Sequence, residues 1–154
     1  FRKIDPDLGI VIITSCPDLR LFGLLEKNIP HGSKIILKRS VSDLSIITFA
    51  LSESMESASD GSDMKWISIH TAIHENSFIS ILSDLTDIQI ETLRLVAQGL
   101  SNSEIARVRY VSEKSVEQIV ARIAQHLEIS PDRSRNLRVI LAGEYFKWLG
   151  APRH

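Results

Sequence analysis

The chain has 154 residues, 44% of them hydrophobic and 24% charged, enough for one domain or two small ones with real cores. Eighteen Lys/Arg against 19 Asp/Glu leave a net charge of −1, which excludes a disordered polyelectrolyte and a nucleic-acid binder held by bulk charge alone. One cysteine, Cys16, closes no internal disulfide, and no apolar run approaches the roughly 18 residues of a membrane span or forms a leader, so the expectation is a soluble cytoplasmic protein with no membrane partner.

In chain order, Phe1 begins in what reads as the tail of a helix. Gly9–Ser15 is a continuous β-branched run, the pattern of a strand covered on both faces. Asp18–Lys27 reads as a helix with Leu21, Leu24 and Leu25 on one stripe. Lys34–Lys38 is a second buried-type strand. Ser40, with Asp43 three residues on, is placed to cap a helix over 41–54 that turns Leu44, Ile47 and Leu51 inward and leaves Ile46 and Phe49 off the stripe. Strands alternating with helices imply right-handed crossovers and a parallel sheet. The polar stretch Ser52–Asp63 reads as a linker, and Trp66–Ile73 alternates like a strand.

From Leu85 onward the punctuation is denser. Thr86 with Gln89, and Ser101 with Glu104, are capping boxes; Ser112 is a plain N-cap. The pairs Leu85/Ile90, Leu100/Ile105 and Val111/Val116 bracket these caps as three successive hydrophobic staples. Gly99 sits where a left-handed residue ends a helix. The expectation is helices over about 87–98, 102–109, 113–127 and 134–149. From Leu85 to His154 there are 10 Lys/Arg and 8 Asp/Glu, a balance of +2, against −3 for the remainder.

On the third of these helices Val116, Ile119, Val120, Ile123 and Leu127 fall on one core stripe. Lys114, Glu117, Gln118, Ala121 and Gln125 fall on the opposite face, flanked by Arg122. A long-polar face with a small residue in its middle, following a short helix and a tight turn, suits a DNA major groove. Lysine contacts guanine acceptors or phosphate, and glutamine bonds bidentately to adenine. Ser112, Ser115 and the free amides at the helix start suit a phosphate oxygen, with Arg107, Arg109 and Arg122 around the rim.

The run Leu85-Thr86, Glu91, Leu93, Leu95, Ala97-Gln98-Gly99-Leu100-Ser101-Asn102, Glu104-Ile105-Ala106, Val111-Ser112-Glu113-Lys114-Ser115-Val116, Ile123 and Leu127 resembles the LuxR/GerE-type helix-turn-helix. That resemblance implies sequence-specific binding of double-stranded DNA in transcription control, with 113–127 as the reader helix and the fourth helix as a homodimer contact. Glu117 and Ile119 depart from the basic residue and histidine common at their positions. The first block in turn resembles the C-terminal half of a receiver domain: Asp7-Leu8-Gly9-Ile10-Val11-Ile12-Ile13-Thr14 as the strand ending in the switch hydroxyl, Ile35-Ile36-Leu37-Lys38 as the strand ending in the phosphate-neutralising lysine. Together these imply the NarL/FixJ response-regulator architecture, with a sensor kinase or RNA polymerase as further partners. The fold expected is α/β plus all-α: a partial receiver-like, flavodoxin-like parallel sheet over 1–54, a linker over 55–84, and a four-helix LuxR-type domain over 85–150. The family's acidic pair and phosphoacceptor aspartate precede the matched region, so phosphate sensing by Thr14 and Lys38 lacks its partners within the chain.

Other residues carry less. His70 and His74 are four apart, as zinc ligands are, but no third ligand accompanies them. Cys16 beside Pro17 reads as a packed thiol. On the fourth helix Leu137, Ile140, Leu141 and Trp148 have heptad-like spacing and are the candidate dimer contact, with Val139, Tyr145 and Phe146 elsewhere. No triad, phosphate loop or carboxylate pair stands out, so neither enzyme nor cofactor is expected. The rival reading is a receiver-derived protein–protein adaptor, in which Glu113 and Glu117 repel phosphates.

Overall fold

The computed structural model describes residues 5, 7–41, 43–67, 81–130 and 135–149. The chain divides into two compact units, one made of 1–17 with 24–75 and the other of 18–23 with 76–154. The helix tail read at Phe1 and the pair His70 and His74 lie outside the described residues, as does the end of the strand read at 66–73.

The first unit is built on a parallel sheet in the order β1 (Val11–Thr14), β2 (Lys34–Leu37), β3 (Lys65–Ile67). Val11 pairs with Lys34 and Thr14 with Leu37, and Lys34 pairs in turn with Lys65. The parallel sheet expected from the alternating pattern is present, with β2 central and buried along its whole length. β2 passes into α1 (Leu44–Asp60), whose N-cap is Asp43 and not Ser40: the Asp43 carboxylate accepts the Ser45 N–H at 2.8 Å.

Two further expectations are corrected in this unit. The helix is 17 residues long and runs through most of the stretch read as a linker, stopping where Gly61 takes the left-handed conformation. Its inward stripe is Ile46, Ala50, Ser54 and Ser57, while Leu44 is 76% exposed and Leu51 and Phe49 also face solvent. Ile36, Ile46 and Ala50 form the core, joined by Val11, Val41, Ile47 and Ile67. The serines face inward because the backbone approaches so closely there. A Cβ on Gly9 would lie 2.6 Å from Ser54 Oγ and 2.9 Å from the Met55 nitrogen, and one on Gly32 would meet the Ser57 carbonyl. A Leu on that stripe would not fit; Ser does, and its hydroxyl is satisfied locally. Ser54 donates to the Leu51 carbonyl at 2.8 Å, and Ser57 accepts from the buried Lys34 ammonium at 2.7 Å.

The second unit holds α2 (Asp87–Ala97), α3 (Asn102–Arg109), α4 (Glu113–His126) and α5 (Leu137–Trp148), close to the four spans expected. It also holds Asp18–Gly23. The helix expected over 18–27 is instead a 3-10 turn at Leu19–Phe22 followed by another at Glu26–Asn28, because Gly23 turns left-handed between them. Leu19 and Leu21 are buried. Arg20 donates to Asp18, to the Leu82 and Leu85 carbonyls at 2.8 and 3.0 Å, and to Asp87 at 2.9 Å. Its guanidinium is held above its ordinary pKa by the Asp18 hydrogen bonds, against opposing burial and with further help from Asp87, so it stays charged. Tyr145 of α5 donates to the Leu21 carbonyl at 2.7 Å. A segment lying between β1 and β2 in the sequence is therefore a structural part of the helical unit. Among the described residues no helix is long and apolar enough to cross a membrane.

Candidate nucleic-acid interface

Local sequence fixes each helix start. The Thr86 N–H donates to Gln89 Oε1 at 2.8 Å and the Gln89 N–H returns to Thr86 Oγ1 at 3.3 Å. Ser101 and Glu104 repeat the arrangement at 2.8 and 3.3 Å. At α4 the Ser115 N–H donates to Ser112 Oγ at 3.1 Å, and the two hydroxyls lie 2.8 Å apart. Beneath the caps Leu85, Ile90, Ile105 and Val116 are buried, but Leu100 is half-buried and Val111 is exposed, so of the three expected staples only Leu85/Ile90 is buried on both sides.

Helix ends follow one pattern too. Gly99, Tyr110 and Glu128 are left-handed, at φ +88°, +55° and +53°. In each case the next residue's N–H reaches back five residues: Leu100 to Leu95, Val111 to Ala106, and Ile129 to Ala124, at 3.2, 3.0 and 2.9 Å. These are Schellman closures, which turn the chain sharply enough for α3 and α4 to follow within a few residues.

The consequence is a fixed rotation of α4. Val116, Val120, Ile123 and Ala124 are buried, with Ile119 and Leu127 half-buried. Lys114, Glu117, Gln118, Ala121, Arg122 and Gln125 are all exposed, as is Ser112, and Ser115 is half-buried. Arg107 on α3 is exposed as well. Arg109 differs from the expectation of a free rim cation. Its side chain is only 11% exposed, Nε lies 3.2 Å from Glu91, and Nη1 donates to Thr92 Oγ1 at 2.8 Å. It ties α3 to α2, because its side chain reaches the buried Thr92 before it reaches solvent.

On α5, two of the four residues read as a dimer contact are core. Leu141 and Trp148 are buried together with Tyr145, while Leu137 and Ile140 are half-buried. The exposed apolar residues are Val139 and Phe146, a heptad apart, with the exposed Gly143 between them. Arg138 from the same helix anchors the turn before α3, donating to Asn102 Oδ1 at 2.6 Å and to the Leu100 carbonyl.

In the first unit Thr14 ends β1 and Lys38 follows β2, so both lie at the carboxyl edge of the sheet. Thr14 Oγ1 accepts the Cys16 N–H at 3.0 Å; Lys38 is exposed and Cys16 is buried. Among the described residues no cluster of His, Cys, Asp or Glu is suited to a metal ion.

Sequence reasoning missed the role of Arg20 and the fully solvated Tyr110. The first had no signal, since a 3-10 turn has no periodicity to detect. The second did: a residue between two capped helices, where Gly99 occupies the equivalent turn, is a candidate for positive φ.

A comparison of the whole chain with curated proteins finds no match. Residues 83–134, about a third of the chain, match the family described as bacterial regulatory proteins, luxR family. That match covers α2, α3 and α4 from before the first capping box to beyond the exposed face of α4. Residues 83–134 are therefore similar to the DNA-binding helix-turn-helix domain of LuxR-type bacterial regulators.

Proposed function

We propose that this protein is a response-regulator-like transcription regulator that reads duplex DNA with α4 in the major groove. The observation that carries the reading is the division of α4: every residue with hydrogen-bonding reach toward a base edge is solvated, and the opposite face is locked into the unit. Lys114 serves a guanine or a phosphate, Gln118 an adenine, and Glu117 the amino group of a cytosine. Ala121 keeps the middle of the face low enough for close approach. Ser112, Ser115 and the first amides of α4 suit a phosphate, with Arg107 and Arg122 beside them.

Two copies of α4 in successive major grooves would match an inverted repeat. The exposed Val139 and Phe146 of α5 support a two-fold contact there, in place of the buried Leu141 and Trp148. In the sheet unit, parallel β1 ending at Thr14 and β2 followed directly by Lys38 support descent from a receiver. The extent of 1–54 expected for that part is extended through the rest of α1 and β3 and gives up Asp18–Gly23, which joins the DNA-binding domain proposed over 85–150.

The test is a titration of binding to a duplex enriched from a random pool, at increasing salt. Affinity should fall with a slope of about −0.9 per neutralised phosphate. Lys114→Ala should weaken binding to the enriched duplex by about 1–3 kcal/mol, and Gln118→Ala should relax the choice at one base position. Unchanged affinity and base preference in both variants would remove α4 as the reader.

A further inference from the structure

Among the large hydrophobic side chains of the described residues Tyr110 is the most exposed, at 95%. It also holds a backbone conformation that suits it badly. At φ +55°, ψ +42° the Cβ of an L-residue crowds its own carbonyl, and glycine or asparagine is preferred. The same unit shows the alternative in place: α2 ends in an equivalent closure with Gly99 at the left-handed position. Stability alone would put glycine or asparagine at 110 as well. The ring brings no compensating burial.

Position decides what the ring is for. Tyr110 lies two residues before Ser112, the N-cap of α4, and three after the exposed Arg107. In the docking geometry of a helix-turn-helix, the first helix crosses the DNA backbone and the first residues of the reader helix meet base edges, so the turn that joins them passes beside the phosphodiester strand. A phenol donates well to a phosphate oxygen, and its ring covers the apolar face of a deoxyribose. The exposed Val108 and Val111 extend that apolar surface on either side.

From this placement we infer that Tyr110 is a DNA-backbone contact that sets the register of α4 in the groove, its hydroxyl donating to a phosphate at the edge of the binding site. The inference rests on the reading of α4 given above. Being neutral, the tyrosine displaces no condensed cation, so its removal lowers affinity without changing the salt slope, unlike removal of Lys114 or Arg107. Being a backbone contact, it contributes equally on any sequence.

The experiment compares wild type, Tyr110→Gly, Tyr110→Phe and Lys114→Ala on a random-sequence duplex pool and on one duplex enriched from it. Tyr110→Gly should bind both about tenfold more weakly with an unchanged salt slope, while its thermal midpoint rises by about 3–6 °C as the strained turn relaxes. Tyr110→Phe should keep the wild-type midpoint and lose most of the same affinity. An affinity unchanged in Tyr110→Gly, or a loss accompanied by a lower midpoint, overturns the assignment. If Lys114→Ala weakens binding and Tyr110→Gly does not, only the tyrosine is misassigned. If wild type binds neither duplex, the reading of α4 falls as well.

Discussion

α1 and α4 are the two longest helices described, and their sequences invite the same treatment: find the large apolar residues at helical spacing and turn them inward. For α4 that procedure places the stripe correctly, on Val116, Val120 and Ile123. For α1 it places only Ile47 against the core, since Leu44 and Leu51 are solvated and Ile46, Ser54 and Ser57 are buried. The difference lies in what each helix packs against. α4 meets other helices, whose side chains keep the axes apart and leave room for branched residues. α1 lies over strand ends at Gly9 and Gly32, where backbone meets backbone and only small residues fit. Hydrophobicity orients a helix when volume is free; where volume is scarce, size does.

The sharpest way to break this comparison is to truncate α1 on both sides. Ile46→Ala should cost about 2–5 kcal/mol, because Ile46 is 4% exposed and sits in the core with Ile36 and Ala50. Leu44→Ala, two residues away, should change stability by no more than about 0.5 kcal/mol. Urea unfolding of the two variants checks both. Equal losses would restore the stripe that hydrophobic spacing alone suggests.

These cases show where legibility in the sequence ends. Caps were readable because each is a short-range bargain between a side chain and the amides three residues on; Thr86, Ser101 and Ser112 cap as their spacing indicates. β1 and β2 were readable because a run of Ile and Val has few alternatives. Asp43 displaced Ser40 as the cap of α1 since the chain spends Lys38–Ser40 in a 3-10 turn first. Long-range fits were not readable. Nothing local in Asp18–Gly23 announces that Arg20 meets the carbonyls of Leu82 and Leu85, and nothing in Arg109 announces Thr92. The same holds for the proposed site: the polar face of α4 is a property of one helix, whereas the choice between Leu141 and Val139 as the outer face of α5 depends on what α5 covers.

A second test separates scarce volume from backbone strain. Gly32 and Gly61 are both left-handed, at φ +70° and +67°, but a Cβ at Gly32 would run into the Ser57 backbone and one at Gly61 would meet nothing within 4 Å. Gly61→Ala should therefore cost only the conformational term, about 1 kcal/mol. Gly32→Ala adds overpacking against a backbone that cannot yield cheaply, for a total of about 2–4 kcal/mol. Thermal unfolding of the pair measures the close approach of α1 directly, and equal shifts would mean that α1 has room to retreat.

The smallest effect expected distinguishes the helices by the chemistry of their caps. α1 starts on Asp43 and α3 relies on Glu104, whereas α4 starts on the neutral Ser112. Hydrogen bonds from the Ser45 hydroxyl and N–H hold the Asp43 carboxyl below its ordinary range, and the Ser101 N–H and hydroxyl do the same for Glu104. A carboxyl whose folded pKa is depressed stabilises the fold fully above its unfolded pKa, and the contribution is lost as pH falls through the folded value. Acidification from the ordinary carboxylate range downward should thus lower the protection factors of the Ser45 and Ser101 amides, measured against their intrinsic exchange rates at each pH, while the Ser112 cap leaves the protection factor of the Ser115 amide unchanged over the same interval. Both carboxyls are solvated, so the losses are local fraying and not unfolding. Glu104→Gln, which keeps the acceptor and removes the charge, should flatten the response at Ser101 alone. A parallel loss of protection at Ser115 would show that the start of α4 depends on an acidic group elsewhere, and the neutral Ser112 cap would not be what sets its response to acid.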